Sequence, residues 1–284
     1  MKTLKLFILW ASLGFIGTAL QPSAHADTYY RFFRGFRRAD VSQEEFLKRL
    51  GDVFIPAAPA THAKNGLVAY LPAVMSGDVA KQVADEIAIV AYESEQVYAQ
   101  AKATPEGKAY ADLHWTLFDQ AKSKPAGSIP WKPGDKIAVD QAYDVLGSAP
   151  DWQTGHTTFW IGLRKKGSAQ EFLNFLAQHV ADIKTSLKPR GLRGYVFMAT
   201  GDYEIAYQNW TSKANMEAAY ADTSVKKTTA EAGEWMSPGH FGEATLFSGK
   251  AENGQIYNVT FKRRKTQDAD CGKILVATPE PKRQ

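Results

Sequence analysis

What most constrains this chain is that it repeats itself. The stretch Gly191-Leu192-Arg193-Gly194-Tyr195-Val196-Phe197-Met198-Ala199 has a counterpart 125 residues earlier, Gly66-Leu67-Val68-Ala69-Tyr70-Leu71-Pro72-Ala73-Val74. Glu204-Ile205-Ala206, running on to Trp210-Thr211-Ser212, is matched 118 residues earlier by Glu86-Ile87-Ala88 and Tyr92-Glu93-Ser94. At an offset of 127, Phe159, Gly162 and Arg164 fall on Phe32, Gly35 and Arg37. Repetition at such a period marks two copies of one supersecondary unit, so a fold assigned to one half has to suit the other.

Each copy opens on a strand, 28–38 and 156–166, followed by Ser42 with Glu45 or Ser168 with Glu171. A Ser three residues before a Glu makes a capping box, because the hydroxyl accepts from the amide that the Glu carries and the carboxylate reaches back. The helix of the second copy shows the stripe Phe172, Leu176, His179, Val180, Ile183 and Leu187; that of the first is shorter and stops before Pro56. Residues 87–92 and 195–199 are almost continuously apolar, as in strands covered on both faces. A second helix follows in each copy, 94–120 with a break near Thr104-Pro105, and 212–236. Residues 122–135, rich in Pro and Gly, read as a loop before a last strand at 137–146, and 241–247 closes the second copy. A further strand is expected within 255–262, and 268–284 reads as a tail.

The order in both copies is β-α-β-β-α-β, a ferredoxin-like sheet with its helices on one face. The expected fold class is α+β: two tandem ferredoxin-like units, 27–149 and 150–249, with antiparallel sheets facing each other, and a C-terminal extension at 250–284. With its doubled strands and the helix starts Tyr92-Glu93-Ser94 and Trp210-Thr211-Ser212, the chain resembles the dimeric α+β barrel superfamily, here as a tandem fusion. That superfamily includes cofactor-free monooxygenases, haem-degrading enzymes and chlorite dismutase relatives. The resemblance implies a cofactor-light monooxygenase or a haem-dependent oxidoreductase if the protein is an enzyme, a question the sequence leaves open.

No motif names the chemistry. There is no phosphate-cradling Gly-rich loop, no His-Glu-x-x-His and no nucleophile elbow, so the catalytic residues stay unknown. Histidines on apolar stripes are the first candidates. His114 resembles the axial histidine of haem-degrading monooxygenases, which makes it the candidate iron ligand; His179 resembles the proximal histidine of chlorite dismutase relatives by its place on the first helix of the second unit. Aromatics at equivalent strand positions are the second: Phe33 and Trp160, Tyr70 and Tyr195, Tyr92 and Trp210. Pointing between the sheets, they would line a site for a small apolar or aromatic molecule, haem included; otherwise they are core. Arg31, Arg34, Arg37 and Arg38 are candidates for holding an anionic group. The competing reading is a non-catalytic structural or partner-binding protein, and oligomerisation is left open.

Lys2 and Lys5 before an apolar run and Ala24-His25-Ala26 have the layout of a signal peptide over 1–26, which points to a periplasmic or secreted protein with no stable membrane insertion after cleavage. Without those two lysines the formal charge falls from +4 to about +2, too little for a nucleic-acid binder. The lone Cys271 cannot form an internal disulfide, so the chain must rely on burial, for which about 258 mature residues (284 less 26) in two units suffice. Amino-terminal sequencing of the mature protein is expected to start within a residue or two of Asp27; an intact Met1 on a membrane-bound product would instead indicate an anchor.

Overall fold

The structure, a computed structural model, describes residues 28–263. The expected signal segment, Cys271 and the tail from residue 264 lie outside the described residues. The first half runs β1 (Tyr29–Gly35), α1 (Gln43–Arg49), a π-helical turn (Leu50–Phe54), α2 (Ile55–His62), β2 (Leu67–Val74), α3 (Gly77–Gln82), β3 (Glu86–Tyr92), α4 (Glu95–Ala103), α5 (Pro105–Trp115), β4 (Lys124–Pro130) and β5 (Ala142–Asp144). The second runs β6 (His156–Arg164), α6 (Ala169–Leu187), β7 (Leu192–Ala199), β8 (Tyr203–Trp210), α7 (Lys213–Ala221), α8 (Thr223–Trp235), β9 (Met236–Leu246) and β10 (Ile256–Asn258). The fold is α+β. Its ten strands close into one barrel in the order β1-β3-β2-β10-β9-β6-β8-β7-β5-β4, with β4 returning to β1. Among the described residues no helix is long and apolar enough to cross a membrane.

The helices start where hydroxyls can accept backbone N–H groups. Ser168 Oγ accepts from Glu171 N while Glu171 accepts from Ser168 N at 2.7 Å, completing the box that starts α6. Ser42 accepts from Glu45 N at 3.1 Å, but Glu45 turns to Arg49, so only half of that box forms. Ser94 and Ser212 cap α4 and α7, and Thr104 accepts from Gly107 N at 3.0 Å, where α4 gives way to α5. Asp222 makes an equivalent break between α7 and α8, within the stretch 212–236 expected as one helix.

Three further expectations need correction. The first-half helix does not stop before Pro56: the π-helical turn passes the chain into α2, where Pro56 occupies the first turn and has no N–H to lose. Ile55, Ala58, Pro59 and His62, spaced as one helical face, are buried there and stabilise the continuation. The stretch read as a loop contains β4, which pairs antiparallel with β1; its prolines stand near the strand ends, where a missing donor does little harm. The strand expected at 137–146 shrinks to β5, parallel to β4 and antiparallel to β7.

Alternation along each strand divides the side chains. Tyr30, Phe32, Leu71, Ile87, Ile89, Phe159, Ile161, Val196, Met198, Ile205 and Tyr207 point inward and form one core drawn from both halves. Polar groups inside the barrel bond across it: the Tyr207 hydroxyl donates to the carbonyls of Ile87 (2.9 Å) and Leu71 (3.1 Å), and Trp152 Nε1 donates to the Tyr30 hydroxyl at 3.1 Å. At one end the buried Arg34 donates to the Tyr203 hydroxyl at 2.7 Å and to Asp140 at 2.6 Å. Outward-facing residues form two further cores, one under α1, α2, α4 and α5 and one under α6, α7 and α8.

β10 fills the gap between β2 and β9, where Ile256 is buried and Gly242 leaves the space that its side chain takes up. Ile256→Ala is expected to cost about 2–5 kcal/mol of unfolding free energy in urea titrations. Leu246→Ala on the neighbouring strand, 70% exposed, should stay within about 0.5 kcal/mol. Equal small effects would mean that the seam contributes little.

Candidate functional site

The barrel interior is packed with side chains, so the site expected between the sheets is not there. The predicted aromatics face the other way. Phe33, Tyr70 and Tyr92 lie in the outward core of the first half, and Trp160, Tyr195 and Trp210 in that of the second. The physical reason is register: the inward positions of β1 are Tyr30, Phe32 and Arg34, which leaves Phe33 to the helices. Between each sheet and its helices lies a cavity, about 390 Å³ in the first half and about 400 Å³ in the second.

Both cavities are lined by equivalent positions of the repeat. Ala58 and Ile183, and Tyr70 and Tyr195, are 125 residues apart; Glu86 and Glu204, Ala88 and Ala206, and His114 and Ala232 are 118 apart; Phe33 and Trp160 are 127 apart. Each cavity therefore has a carboxyl at the start of its central outward row. Gly35 faces Glu86 across the β1–β3 ladder, and Gly162 faces Glu204 across β6–β8. A Cβ at Gly162 would stand 2.9 Å from Trp160 Nε1 and 3.3 Å from Glu204 Cγ, and one at Gly35 would collide with the Phe118 ring. These glycines make room for what packs around the acids.

The carboxyls are the chemically distinctive groups. Glu86 is fully buried and Glu204 is 2% exposed. The Tyr70 hydroxyl donates to Glu86 Oε1 at a long 3.5 Å, and Tyr110 lines the same cavity. Oε2 of both glutamates has no partner among the described residues. Burial in apolar surroundings disfavours the charged form, pushing Glu86 up to about 8 against the pull of Tyr70, and Glu204 up to about 7 against that of Trp160. Each acid can hold or release a proton near neutral pH.

Histidines border the same spaces. His114 Nδ1 lies 2.8 Å from the Tyr110 carbonyl, which can only accept, so Nδ1 carries the hydrogen and Nε2 keeps its lone pair. The ring packs edge-on against Phe54 (4.6 Å), Tyr110 (4.8 Å) and Phe33 (5.0 Å). His62, absent from the candidates, lies 5.1 Å from Tyr110 and leaves Nδ1 unpartnered. In the second cavity His179 stacks on Phe175 at 5.4 Å, and the Tyr220 hydroxyl donates to Gln208 at 2.9 Å. Burial holds His62, His114 and His179 down at about 4, so all three are neutral at pH 7.

Of the residues expected at a site, Phe33, Tyr70, Tyr92 and His114 line the first cavity and Trp160, Tyr195 and His179 the second. Trp210 does not line it but is buried, 5.7 Å from Tyr220. The two carboxyls were missed as chemistry although they stand inside the repeat. An ionisable residue heading an apolar strand twice, at a constant offset, was the available signal. The four arginines separate: Arg34 is bound to Asp140, Arg37 to Asp85 and Arg38 to Asp40, while Arg31 lies over the Tyr98 ring, 5.0 Å from its centre, at the edge of the first cavity.

No protein-family model and no curated protein matches the chain. Solved structures share its outline at low identity. A candidate monooxygenase from Fusobacterium nucleatum subsp. nucleatum is 9% identical with a TM-score of 0.43, covering 83% of this chain and 96% of its own. An anthrone oxidase-like protein is 14% identical at 0.37, covering 87% and 95%. The chlorite dismutase of Candidatus Nitrospira defluvii is 10% identical at 0.33, covering 79% and 93%. Monooxygenases and chlorite dismutase relatives are among the kinds of protein that the sequence resemblance names. At these scores the likeness carries no chemistry.

The shifted groups set a pH dependence. Between about pH 4.5 and their raised values, Glu86 and Glu204 keep protons that the unfolded chain has released, so each lowers stability by about 1.4 kcal/mol per pH unit as pH rises. Between about 4 and 6.5 the unfolded chain binds protons that His62, His114 and His179 refuse when folded, so these raise stability with pH. Three histidines outweigh two carboxyls below pH 6.5; above it these histidines no longer act and the carboxyls still do. Melting temperature is expected to peak near pH 6.5 and fall toward pH 8, and the double variant Glu86→Gln/Glu204→Gln should lose the alkaline fall while keeping the acidic one. An unchanged fall in that variant would assign it to other groups.

Proposed function

We propose that this protein is an exported tandem barrel, two copies of one ferredoxin-like unit, that binds a flat, largely apolar molecule in each of its two sheet–helix cavities and oxidises it in a monooxygenase-like reaction. The observation that carries the reading is the pair of equivalent buried carboxyls, each among the residues lining a mostly apolar cavity and each with one oxygen that has no partner among the described residues. A buried polar atom without a partner costs about 1–3 kcal/mol. A ligand hydroxyl or an acidic C–H would meet it. The aromatic walls supply flat surface for stacking, and the helices above the sheet form the other side of each cavity.

The chemistry within reach is proton transfer. An ionised Glu86 or Glu204 takes a proton from an activated position of the ligand and leaves an electron-rich anion, which O2 oxidises with electrons from the ligand itself; an activated CH2 and O2 then give C=O and H2O. The protonated acid returns its proton in the same cycle. Haem is the second reading, favoured by one feature: His114 borders the first cavity with Nδ1 tied to a carbonyl and Nε2 bare, as an axial imidazole must be. A bound haem would supply redox-active iron there. His179 has stacking but no such tie.

Titration with 2-naphthol is expected to show two equivalents bound per chain. Glu86→Leu and Glu204→Leu should each reduce the preference for 2-naphthol over naphthalene about tenfold at one site. Oxygen uptake with an aromatic bearing an activated methylene should be lost in Glu86→Gln/Glu204→Gln. Binding without uptake would make the protein a non-catalytic carrier, and no binding of either probe would favour a structural or partner-binding role. With haemin, a Soret band that His114→Ala moves and His179→Ala leaves alone would support the second reading.

A further inference from the structure

The two cavities share their carboxyl and differ in charge at the opposite end. Arg31 borders the first cavity, and its counterpart at an offset of 127 in the second is Thr158. Lys102 also borders the first, and its counterpart at 118 is Tyr220. Two cations on one side thus correspond to two hydroxyls on the other. Arg31 is the one arginine of β1 and the loop after it that has no acidic partner among the described residues; its guanidinium rests on the Tyr98 ring.

The cation and the carboxyl stand at separate ends. Arg31 pairs with Val90 and Gly35 with Glu86 on the same ladder. Four residues separate the two rungs, about 13 Å at a rise of about 3.3 Å per residue. Glu86 is fully buried, whereas Arg31, four residues along the ladder, is half-buried, and Lys102, also lining the cavity, is exposed. The Arg31 charge is felt as far as Tyr92 and His114, both of which line the cavity.

We infer that the cavities take different ligands: the first a flat hydroxylated aromatic bearing a carboxylate at the end remote from its hydroxyl, the second an uncharged analogue. The carboxylate meets Arg31 and Lys102 at the mouth, where a guanidinium binds it in two-pronged fashion, and the hydroxyl meets Glu86 inside. Below about pH 8 Glu86 is protonated and does not repel the anion. In the second cavity nothing equivalent offsets the cost of bringing in a carboxylate, so Thr158 and Tyr220 select against charge.

This inference rests on the reading that both cavities bind flat hydroxyaromatics, and calorimetric titration with two probes separates the two. Wild-type protein is expected to bind two equivalents of 2-naphthol but one of 6-hydroxy-2-naphthoate. Arg31→Thr/Lys102→Tyr, which carries the residues of the other half, should weaken the naphthoate at least tenfold and leave 2-naphthol unchanged. Thr158→Arg should add a second equivalent of naphthoate. Naphthoate entering both cavities of the wild type, or binding the double variant undiminished while 2-naphthol still binds, overturns the charge selection and leaves the shared reading standing. If neither probe binds the wild type, both fall.

Discussion

Closure of the barrel is the constraint on which everything else in this molecule depends. Two four-stranded sheets placed face to face leave four open edges, and unpaired edge groups cost free energy and invite wrong partners. Here two three-residue strands remove them: β5 joins β4 to β7 and β10 joins β2 to β9. The closed wall then fills with Phe32, Phe159, Tyr207 and their neighbours, so the open space lies between sheet and helices. The location of the candidate sites is a by-product of how the core was completed.

Equivalent buried acids in both cavities, and cations bordering only the first, give the two their character. A carboxyl buried without an ion-pair partner is unfavourable when charged, so it stays protonated until near neutral pH, and both halves place one at the same register. The surroundings differ more than the acids do. Tyr70 and Tyr110 border one, Trp160 the other; His114 is replaced by Ala232, and Arg31 by Thr158. The two halves hold the same group at the same register while its neighbours differ.

The sequence disclosed what depends on local chemistry. Caps at Ser168, Ser94, Ser212 and Thr104 were legible because a hydroxyl at a helix start acts within three residues, and the doubly covered strands were legible from their apolar runs. What depends on long-range register was not. β4 is a strand because β1 offers it a partner about ninety residues away, in spite of Pro125 and Gly127. The outward orientation of Phe33 and Trp160 follows from which side of the sheet meets the second half, which alternation alone leaves undecided. Glu86 and Glu204 were visible as letters of the repeat; only the burial around them turns a strand-end charge into an acid with a displaced titration.

The seam at β10 has a consequence in time. Strand β2 waits for a partner that lies more than 180 residues further along the chain, beyond the whole second half. As the chain emerges, the first sheet can gather its own helices but keeps an exposed flank until Ile256 arrives, and contacts separated so far in sequence form slowly. A polypeptide built this way cannot finish its wall until nearly all of the described chain is present.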